Sequence, residues 1–352
     1  MAFKDIIGQD RPLNILKGCI IKERIPHALL FAGDEGIGKR LTAVNFAKAL
    51  NCRGMEGDET EAAGGLLFEV PEPEQGGPGP ETLPEACDNC PSCKKIESGN
   101  HPDVFIIGPE GEGGQITVQS IRQLEESLSY KPYEGRWKIA IVDEADKLNQ
   151  SAANAFLQTL EEPSAQSILI LISSRPDMLL PTIRSRCQRI SFSPLPLDTM
   201  ALLLKEKFND MDDKQARLLS MLSGGRLGYA LTGDLIAQRD TCFSAFKEML
   251  ENFEEEPWED KEAMEDWFEW SQLLLRDMAV YSATGQEAYL MNPDHAEYIK
   301  AVSREAGLAD ILKLARELYN IKRRLAFNLN KQLTYNFVSL LLRNDLRQSG
   351  PG

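Results

Sequence analysis

Residues 28–50 read ALLFAGDEGIGKRLTAVNFAKAL, an apolar run followed by a glycine-rich turn and a run with helical periodicity. A strand, a glycine turn and a helix in this order are the layout of a phosphate-binding loop. Glycines let successive backbone N–H groups point toward phosphate oxygens, and the N-terminus of the following helix adds partial positive charge. The spacing of Gly33, Gly36 and Gly38 before Lys39 is that of a Walker A motif, in which the lysine reaches the outer phosphates.

Arg40 departs from this motif. A serine or threonine in its place would offer a hydroxyl ligand to Mg²⁺, which a guanidinium cannot do, and a second cation repels the metal. The sequence therefore favours a loop that does not support hydrolysis, and it leaves the binding of ATP or ADP open. An empty glycine loop is one alternative, and a loop in which Thr42 or a water replaces the missing hydroxyl is another.

Strands predicted at 104–107, 138–142 and 168–173 alternate with helices predicted at 118–129 and 151–162. Such alternation indicates a parallel sheet covered by helices on both faces. The prolines at 194 and 196 mark the end of β character, and the rest of the chain has helical periodicity. We therefore expect an α/β domain followed by all-helical domains, with divisions at 1–193, 194–238 and 239–352.

The 352 residues carry a formal charge of −15, which is concentrated in two segments. Residues 53–86 hold nine acids and one base, and residues 251–269 hold ten acids and one base, so the remaining 35 acids and 37 bases leave a net charge of +2. A basic groove elsewhere is thus compatible with the composition, although strong DNA binding by the chain alone is not expected. The stretch 54–84 is rich in Gly, Pro and Glu, and we interpret it as a mobile insertion.

The apolar runs are too short for a membrane helix, and the first residues lack the pattern of a signal peptide. These features predict a cytoplasmic protein that does not span a membrane.

A second motif resembles Walker B. Residues 139–142 of the predicted strand 138–142 are apolar and are followed by Asp143 and Glu144, which places carboxylates at the end of the sheet where α/β folds bind ligands. Asp143 would hold the coordination shell of a metal ion, and Glu144 would polarise a water molecule. An acidic strand end that merely faces solvent is the alternative, but the upstream glycine loop favours the functional interpretation. Ser173, at the end of the next strand, gives a weaker signal for a residue that orients water.

Two further arginines are candidates for function. Arg186 and its neighbour Arg184 lie at the edge of the α/β domain, where an arginine can reach the γ-phosphate of an adjacent subunit. A surface ion pair is the alternative, and sequence spacing alone does not reject it. Arg122 lies on an apolar and acidic helix; it either contacts a nucleic-acid phosphate or pairs with Glu126 at i,i+4.

Four of the seven cysteines form a group with the spacing C-x₃₄-C-x₂-C-x₂-C, namely Cys52, Cys87, Cys90 and Cys93. The two tight steps bring three thiolates to one centre, and Cys52 completes a tetrahedron, which predicts a structural zinc site. Reduced, unpaired cysteines are the alternative. A zinc module that itself binds nucleic acid is a third interpretation.

The remaining histidines and tryptophans suggest no catalytic site. The three histidines are isolated in sequence and are expected to be structural. The tryptophans of the acidic helical region are expected to be core or interface anchors. They are His27, His101, His295, Trp258, Trp267 and Trp270.

Taken together, the motifs resemble bacterial clamp-loader subunits of the AAA+ class, over residues 1 to about 230. They are Ile7-Gly8-Gln9-Asp10, Pro26-His27-Ala28-Leu29-Leu30-Phe31, Gly38-Lys39, the four cysteines, His101-Pro102-Asp103, Asp143-Glu144-Ala145-Asp146, Leu157-Gln158-Thr159-Leu160-Glu161-Glu162-Pro163 and Ser185-Arg186-Cys187.

The resemblance implies an AAA+ core with a zinc module embedded within 52–100, a helical lid and a C-terminal collar that joins five subunits. It implies a hetero-pentamer with the motor and delta subunits of the DNA polymerase III loader, which places the sliding clamp on primer-template DNA. By position, Arg186 would be an arginine finger acting in trans, and Arg122 would face DNA.

Two departures from the family pattern bear on the choice of subunit. Arg40 replaces the metal-binding hydroxyl, and Tyr229 stands where many relatives carry a nucleotide-sensing arginine, with Arg226 on a different helical face. Their combination favours a non-motor subunit with weak or absent ATPase activity. A motor subunit of the gamma or tau type, or another AAA+ ATPase, is the alternative.

Overall fold

The computed structural model describes residues 3–54, 85–111, 114–208, 210–251, 258–325 and 329–346. By its internal contacts the chain divides into two compact units. The first comprises Met1–Leu195 with Arg226–Tyr229, and the second comprises Pro196–Gly225 with Ala230–Gly352. The predicted mobile insertion lies outside the described residues apart from Gly54, and so does the stretch 252–257 of the acidic run.

The first unit contains a five-stranded sheet in which every pairing is parallel, in the order β2-β3-β4-β1-β5. Its strands are β1 (Ala28–Ala32), β2 (Val104–Ile107), β3 (Lys138–Val142), β4 (Ser167–Ser173) and β5 (Gln188–Ser191). All residues of the three central strands, β1, β3 and β4, are buried. This explains their continuous apolar sequences, since strands covered on both faces show no polar alternation.

Helices cover both faces of this sheet, as the alternation of elements predicted. Alternate residues of β3 show the division: Ile139 and Ile141 pack with α1 and α2, whereas Ala140 and Val142 pack with α4 and α5. The α-helices among the described residues of this unit are α1 (Asp10–Ile21), α2 (Lys39–Asn51), α3 (Pro91–Glu97), α4 (Val118–Ser129), α5 (Gln150–Glu161) and α6 (Pro181–Arg186).

The predicted strands and helices of the α/β domain are confirmed to within one residue at their ends. Strand β5 was not predicted, because Gln188, Arg189 and Ser191 are exposed and only Ile190 is buried. This polar edge strand is held in the sheet by its pairing with β1, and the local sequence gives little indication that a strand forms here.

The described part of the second unit is entirely helical. Its helices are α7 (Leu197–Lys207), α8 (Asp213–Ser223), α10 (Leu235–Glu251), α11 (Lys261–Thr284), α12 (Ala296–Glu305), α13 (Leu308–Arg324) and α14 (Lys331–Leu346). Helix α9 (Leu227–Thr232) has its first three residues in the first unit and the remainder in the second.

Aromatic packing and one buried arginine stabilise the second unit. Trp258 and Trp267 are buried, with ring centroids 5.3 Å apart. Of the two roles expected for them, core residue or interface anchor, they therefore have the first. Arg239 is fully buried and pairs with Asp240 at 2.7 Å and with Asp294 at 2.5 Å. These carboxylates serve as counter-charges, which a buried guanidinium requires.

None of the described helices combines the length and the apolar character needed to cross a bilayer.

Candidate functional site

The glycine loop joins the end of β1 to the start of α2 at one edge of the sheet. Gly33, Gly36 and Gly38 have φ angles of 152°, 74° and 94°, so the predicted phosphate loop has the backbone that its glycines allow. Gly38 is the N-cap of α2, and Lys39 is its first residue. The loop therefore presents the start of a 13-residue helix at the end of a buried strand.

Lys39 is turned into the loop. Its side chain is buried, and Nζ donates hydrogen bonds to the carbonyl oxygens of Gly33 at 2.6 Å and Asp34 at 2.5 Å. Burial lowers the pKa of Lys39, while the carboxylates of Asp143 and Glu35 oppose the shift. The ammonium group thus has partners within the chain.

Arg40 and Asp143 form an ion pair across the site. The Nη1 atom of Arg40 lies 3.3 Å from Oδ2 of Asp143, and the Arg40 side chain is 63% exposed whereas that of Asp143 is 20% exposed. The Arg40 guanidinium is thus paired with the Asp143 carboxylate, which was expected to hold the coordination shell of a metal ion. Thr42, considered as a substitute hydroxyl, is fully buried and donates to the carbonyl oxygen of Gly38 at 2.9 Å.

The other strand-end residues also have partners. Glu144 adopts a left-handed backbone conformation with φ of 48°, and its carboxylate pairs with Lys147 at 2.5 Å. The Ser173 hydroxyl donates to Asp146 at 2.8 Å, and Asp146 also accepts from Arg175. The Glu144 pair lies within the residues that follow β3, whereas the contacts of Asp146 connect those residues to the end of β4.

The segment Arg226–Tyr229 closes against the glycine loop. The Gly228 amide donates to the carbonyl oxygen of Gly36 at 2.7 Å, and a Cβ added at Gly36 would lie 2.8 Å from the Tyr229 nitrogen. Only glycine fits this approach. The Arg226 guanidinium lies 4.2 Å from the centroid of the Tyr229 ring. The Gly36–Gly228 contact was not predicted from the sequence, because no local pattern marks a contact between residues 192 positions apart.

Arg186 ends helix α6 at the surface. Its guanidinium pairs with Glu161 at 2.6 Å and donates to the carbonyl oxygen of Thr182 at 3.0 Å. Arg184, two residues earlier on the same helix, pairs with Asp177 at 2.7 Å, and both arginine side chains are 36% exposed. The ion-pair alternative therefore describes both residues within this single chain, and a role in trans stays a prediction.

Arg122 is exposed on α4. Within the described ranges it makes no ion pair, so the alternative in which Arg122 pairs with Glu126 is not realised. The orientation leaves a guanidinium facing solvent on a helix whose buried face is formed by Ile121, Leu124 and Leu128.

The four predicted cysteines come together. The sulfur atoms of Cys52, Cys87, Cys90 and Cys93 all lie within 4.8 Å of one another, although Cys52 is 35 positions from Cys87. For comparison, a tetrahedral zinc site with Zn–S bonds of about 2.3 Å has S–S edges of about 3.8 Å. The arrangement can hold a metal ion such as zinc.

Backbone amides support the thiol cluster. The N–H groups of Cys87, Cys90 and Cys93 each point at the sulfur of the preceding cysteine of the set, at 3.3–3.4 Å. Burial raises the pKa of Cys90, but hydrogen bonds from the Cys93 and Arg53 amides outweigh it and lower the pKa to about 6. Burial outweighs such bonds at Cys52 and Cys93, whose pKa values are raised above the ordinary value of a thiol. The fit to zinc therefore rests on the type, number and placement of the four sulfur atoms.

Family models of known proteins match most of the chain. A family model described as "DNA polymerase III, delta subunit" matches residues 8–64 and 79–196. A second, described as "DNA polymerase III, delta subunit, C terminal", matches residues 236–344.

Individual relatives agree with the family models. The chain is 34% identical over 215 residues to DNA polymerase III subunit delta' of Bacillus subtilis, a match that covers 61% of this chain and 56% of that relative. It is 29% identical over 342 residues to subunit delta' of Pseudomonas aeruginosa, with 93% of each chain covered. It is 33% identical over 190 residues to DNA polymerase III subunit tau of Bacillus subtilis, a match that covers 54% of this chain and 29% of that relative.

Proposed function

The chain belongs to the delta-prime family of DNA polymerase III clamp-loader subunits, and on this premise we propose that it is a non-motor subunit, or stator, of a bacterial clamp loader. It acts in the cytoplasm within a hetero-pentamer that contains the motor and delta subunits. The assembly uses ATP to load the sliding clamp onto primer-template DNA. This subunit contributes an arginine finger to a neighbouring ATPase site and hydrolyses little or no ATP itself.

The ion pair between Arg40 and Asp143 carries the non-motor assignment. Phosphoryl transfer in P-loop ATPases depends on Mg²⁺ held by a hydroxyl after the lysine and by the strand-end carboxylate. In this chain the hydroxyl is replaced by a guanidinium, and that guanidinium lies 3.3 Å from the carboxylate. A divalent cation would have to displace the arginine and then tolerate its charge nearby.

Substitution of Arg40 by threonine tests this argument. The variant Arg40→Thr supplies a hydroxyl and frees Asp143, so Mg²⁺ is expected to tighten ATP binding by tenfold or more in the variant and to have little effect in the native chain. Isothermal titration of ATP with Mg²⁺ and with EDTA measures both. The control is Arg189→Thr, which removes an exposed arginine from β5.

Two results would count against the argument. One is binding of ATP by the native chain that already depends on Mg²⁺. The other is an Arg40→Thr variant that gains no magnesium dependence, since Arg40 would then not be the group that excludes the metal.

The position of Arg186 supports its proposed role as a finger. Its partner Glu161 is half exposed, and surface ion pairs of this kind contribute only about 0–1 kcal/mol. A neighbouring triphosphate, with several negative charges, competes readily with one solvated carboxylate. The helix α6 that carries Arg186 begins with Pro181 and is anchored by the buried Ile183, so the side chain has a fixed base.

The helical region is proposed to comprise a lid, 194–238, and a collar, 239–352, after an AAA+ domain at 1–193. Within the collar, α13 and α14 pack together and expose large apolar side chains at helical spacing. Exposed apolar residues grouped in this way mark protein–protein contacts more often than isolated ones do. They are Leu308, Leu312, Tyr319, Leu333, Phe337 and Leu340.

Two further parts of the proposal concern ligands. The four cysteines hold a structural zinc ion, with no open coordination position for catalysis. Arg122 contacts DNA phosphates in the assembled loader, which is supported by its exposure and by its lack of an ion-pair partner among the described residues.

A further inference from the structure

The cysteine cluster is linked to the turn 133–137 by a set of buried polar side chains. Asn51 directly precedes Cys52 at the end of α2, and Ser92 directly precedes Cys93 in α3. The Ser92 hydroxyl donates to the carbonyl oxygen of Asn51 at 2.8 Å, and both residues are buried. The positions of these two residues are therefore tied to the cysteines beside them.

The Asn51 side chain binds the second half of the turn. Its Oδ1 accepts hydrogen bonds from the Arg136 and Trp137 amides at 2.9 Å each, and its Nδ2 donates to the Trp137 carbonyl oxygen at 2.9 Å. A Cβ added at Gly135 would lie 2.7 Å from the Asn51 amide group. The turn is thus built directly against this side chain.

Asp103 binds the first half of the turn. Its Oδ1 accepts from the Tyr133 amide at 2.8 Å, and its Oδ2 accepts from the Glu134 and Gly135 amides at 2.7 Å each. Burial raises the pKa of Asp103, but these three amides outweigh it and keep the pKa below its ordinary value. Five consecutive amides, from 133 to 137, therefore donate to two side chains.

His101 joins the two halves. Its Nδ1 accepts from the Asp103 amide at 3.1 Å, which places the proton of the neutral ring on Nε2. Nε2 then donates to the Ser92 hydroxyl oxygen, 3.1 Å away, and Ser92 donates onward to Asn51. Burial lowers the pKa of His101, which favours this neutral form. One tautomer of His101 therefore satisfies all three hydrogen bonds that run from Asp103 through His101 and Ser92 to Asn51.

We propose that the metal-loaded cysteine cluster serves as a brace for the turn 133–137, which leads into β3; that is, it holds the backbone of this turn in place. Ser92 and His101 are the positioning residues that connect the cluster to the turn. A metal bound by Cys52 and Cys93 fixes Asn51 and Ser92, and through them the turn. The inference rests on the proposed zinc site and is independent of the arginine finger. On this inference, the zinc module stabilises a turn of the α/β unit.

Hydrogen exchange measured by mass spectrometry on the full chain tests this brace. Zinc removal by a chelator is expected to speed exchange of the amides at 133–137 about tenfold, while exchange in α13 stays unchanged. Unchanged exchange at 133–137, in protein shown by metal analysis to have held and then lost one zinc, would overturn the inference. Protein that never holds zinc would also overturn it, and metal analysis identifies that case as failure of the zinc site itself.

Variants separate positioning from a general loss of structure. With zinc still bound, Ser92→Ala is expected to speed exchange at 133–137 severalfold, and His101→Leu to do the same. His101→Gln, whose amide can accept from Asp103 and donate to Ser92, should restore most of the protection. The matched control is Ser98→Ala, an exposed serine that follows α3. Equal exchange in Ser92→Ala and Ser98→Ala would contradict the proposal.

Discussion

Replacement of Arg186 by alanine is expected to lower ATP turnover at the neighbouring motor site about 10³-fold or more, while the chain still folds and assembles. Arginine fingers contribute roughly 10³–10⁵ in rate because they stabilise charge that develops in the transition state. The ion pair that Arg186 leaves behind is at the surface, so its loss costs little stability. The measurement is DNA-stimulated ATPase activity of the reconstituted loader, resolved by single-turnover kinetics for the site that adjoins this subunit.

The chain provides a closely matched control in Arg184→Ala. Arg184 lies on the same helix, is equally exposed and also forms one surface ion pair. Its removal should leave turnover unchanged. Glu161→Gln, which removes only the intramolecular partner of Arg186, should leave turnover unchanged or raise it. Equal effects of the two alanine variants would contradict the assignment of Arg186.

Loss of the proposed zinc site is the second change with a large expected effect. Cys93→Ser replaces a fully buried cysteine of this proposed site, so the protein is expected to retain less than a tenth of the zinc of the native chain. Structural zinc contributes on the order of 10 kcal/mol to the folding of small zinc-binding peptides. Even a third of that amount corresponds to a drop in Tm of roughly 10 °C for a unit of this size. Metal analysis of the reduced protein and thermal unfolding give the two values.

Cys19→Ser is the control for this substitution. Cys19 lies on α1, partly buried and outside the cluster, so its variant should keep zinc and lose little stability. A native chain without stoichiometric zinc, or a Cys93→Ser variant as stable as Cys19→Ser, would contradict the metal assignment.

The α/β fold was predictable because its central strands and flanking helices are marked by local patterns. Strands buried on both faces produce unbroken apolar runs such as that of β3, and amphipathic helices such as α4 follow a period of 3.6 residues. The edge strand β5 was missed since one buried residue among four gives no such pattern.

The candidate site was predictable only in part. The cysteine cluster could be predicted because zinc ligation requires particular residue types at particular spacings. Sequence identified Arg40 as a departure from the motif, but its partner Asp143 lies 103 positions away and follows from the fold. His101 was assigned a structural role in general terms, whereas its bond to Ser92 depends on how α3 packs.

Steady-state ATP turnover by the purified chain, with Mg²⁺ and primed DNA present, tests the stator assignment most directly. With Arg40 paired to the strand-end carboxylate, turnover is expected to stay at the background rate and to be unaffected by Glu144→Gln. Magnesium-dependent turnover well above background, abolished by Glu144→Gln, would show that this chain is itself a motor subunit.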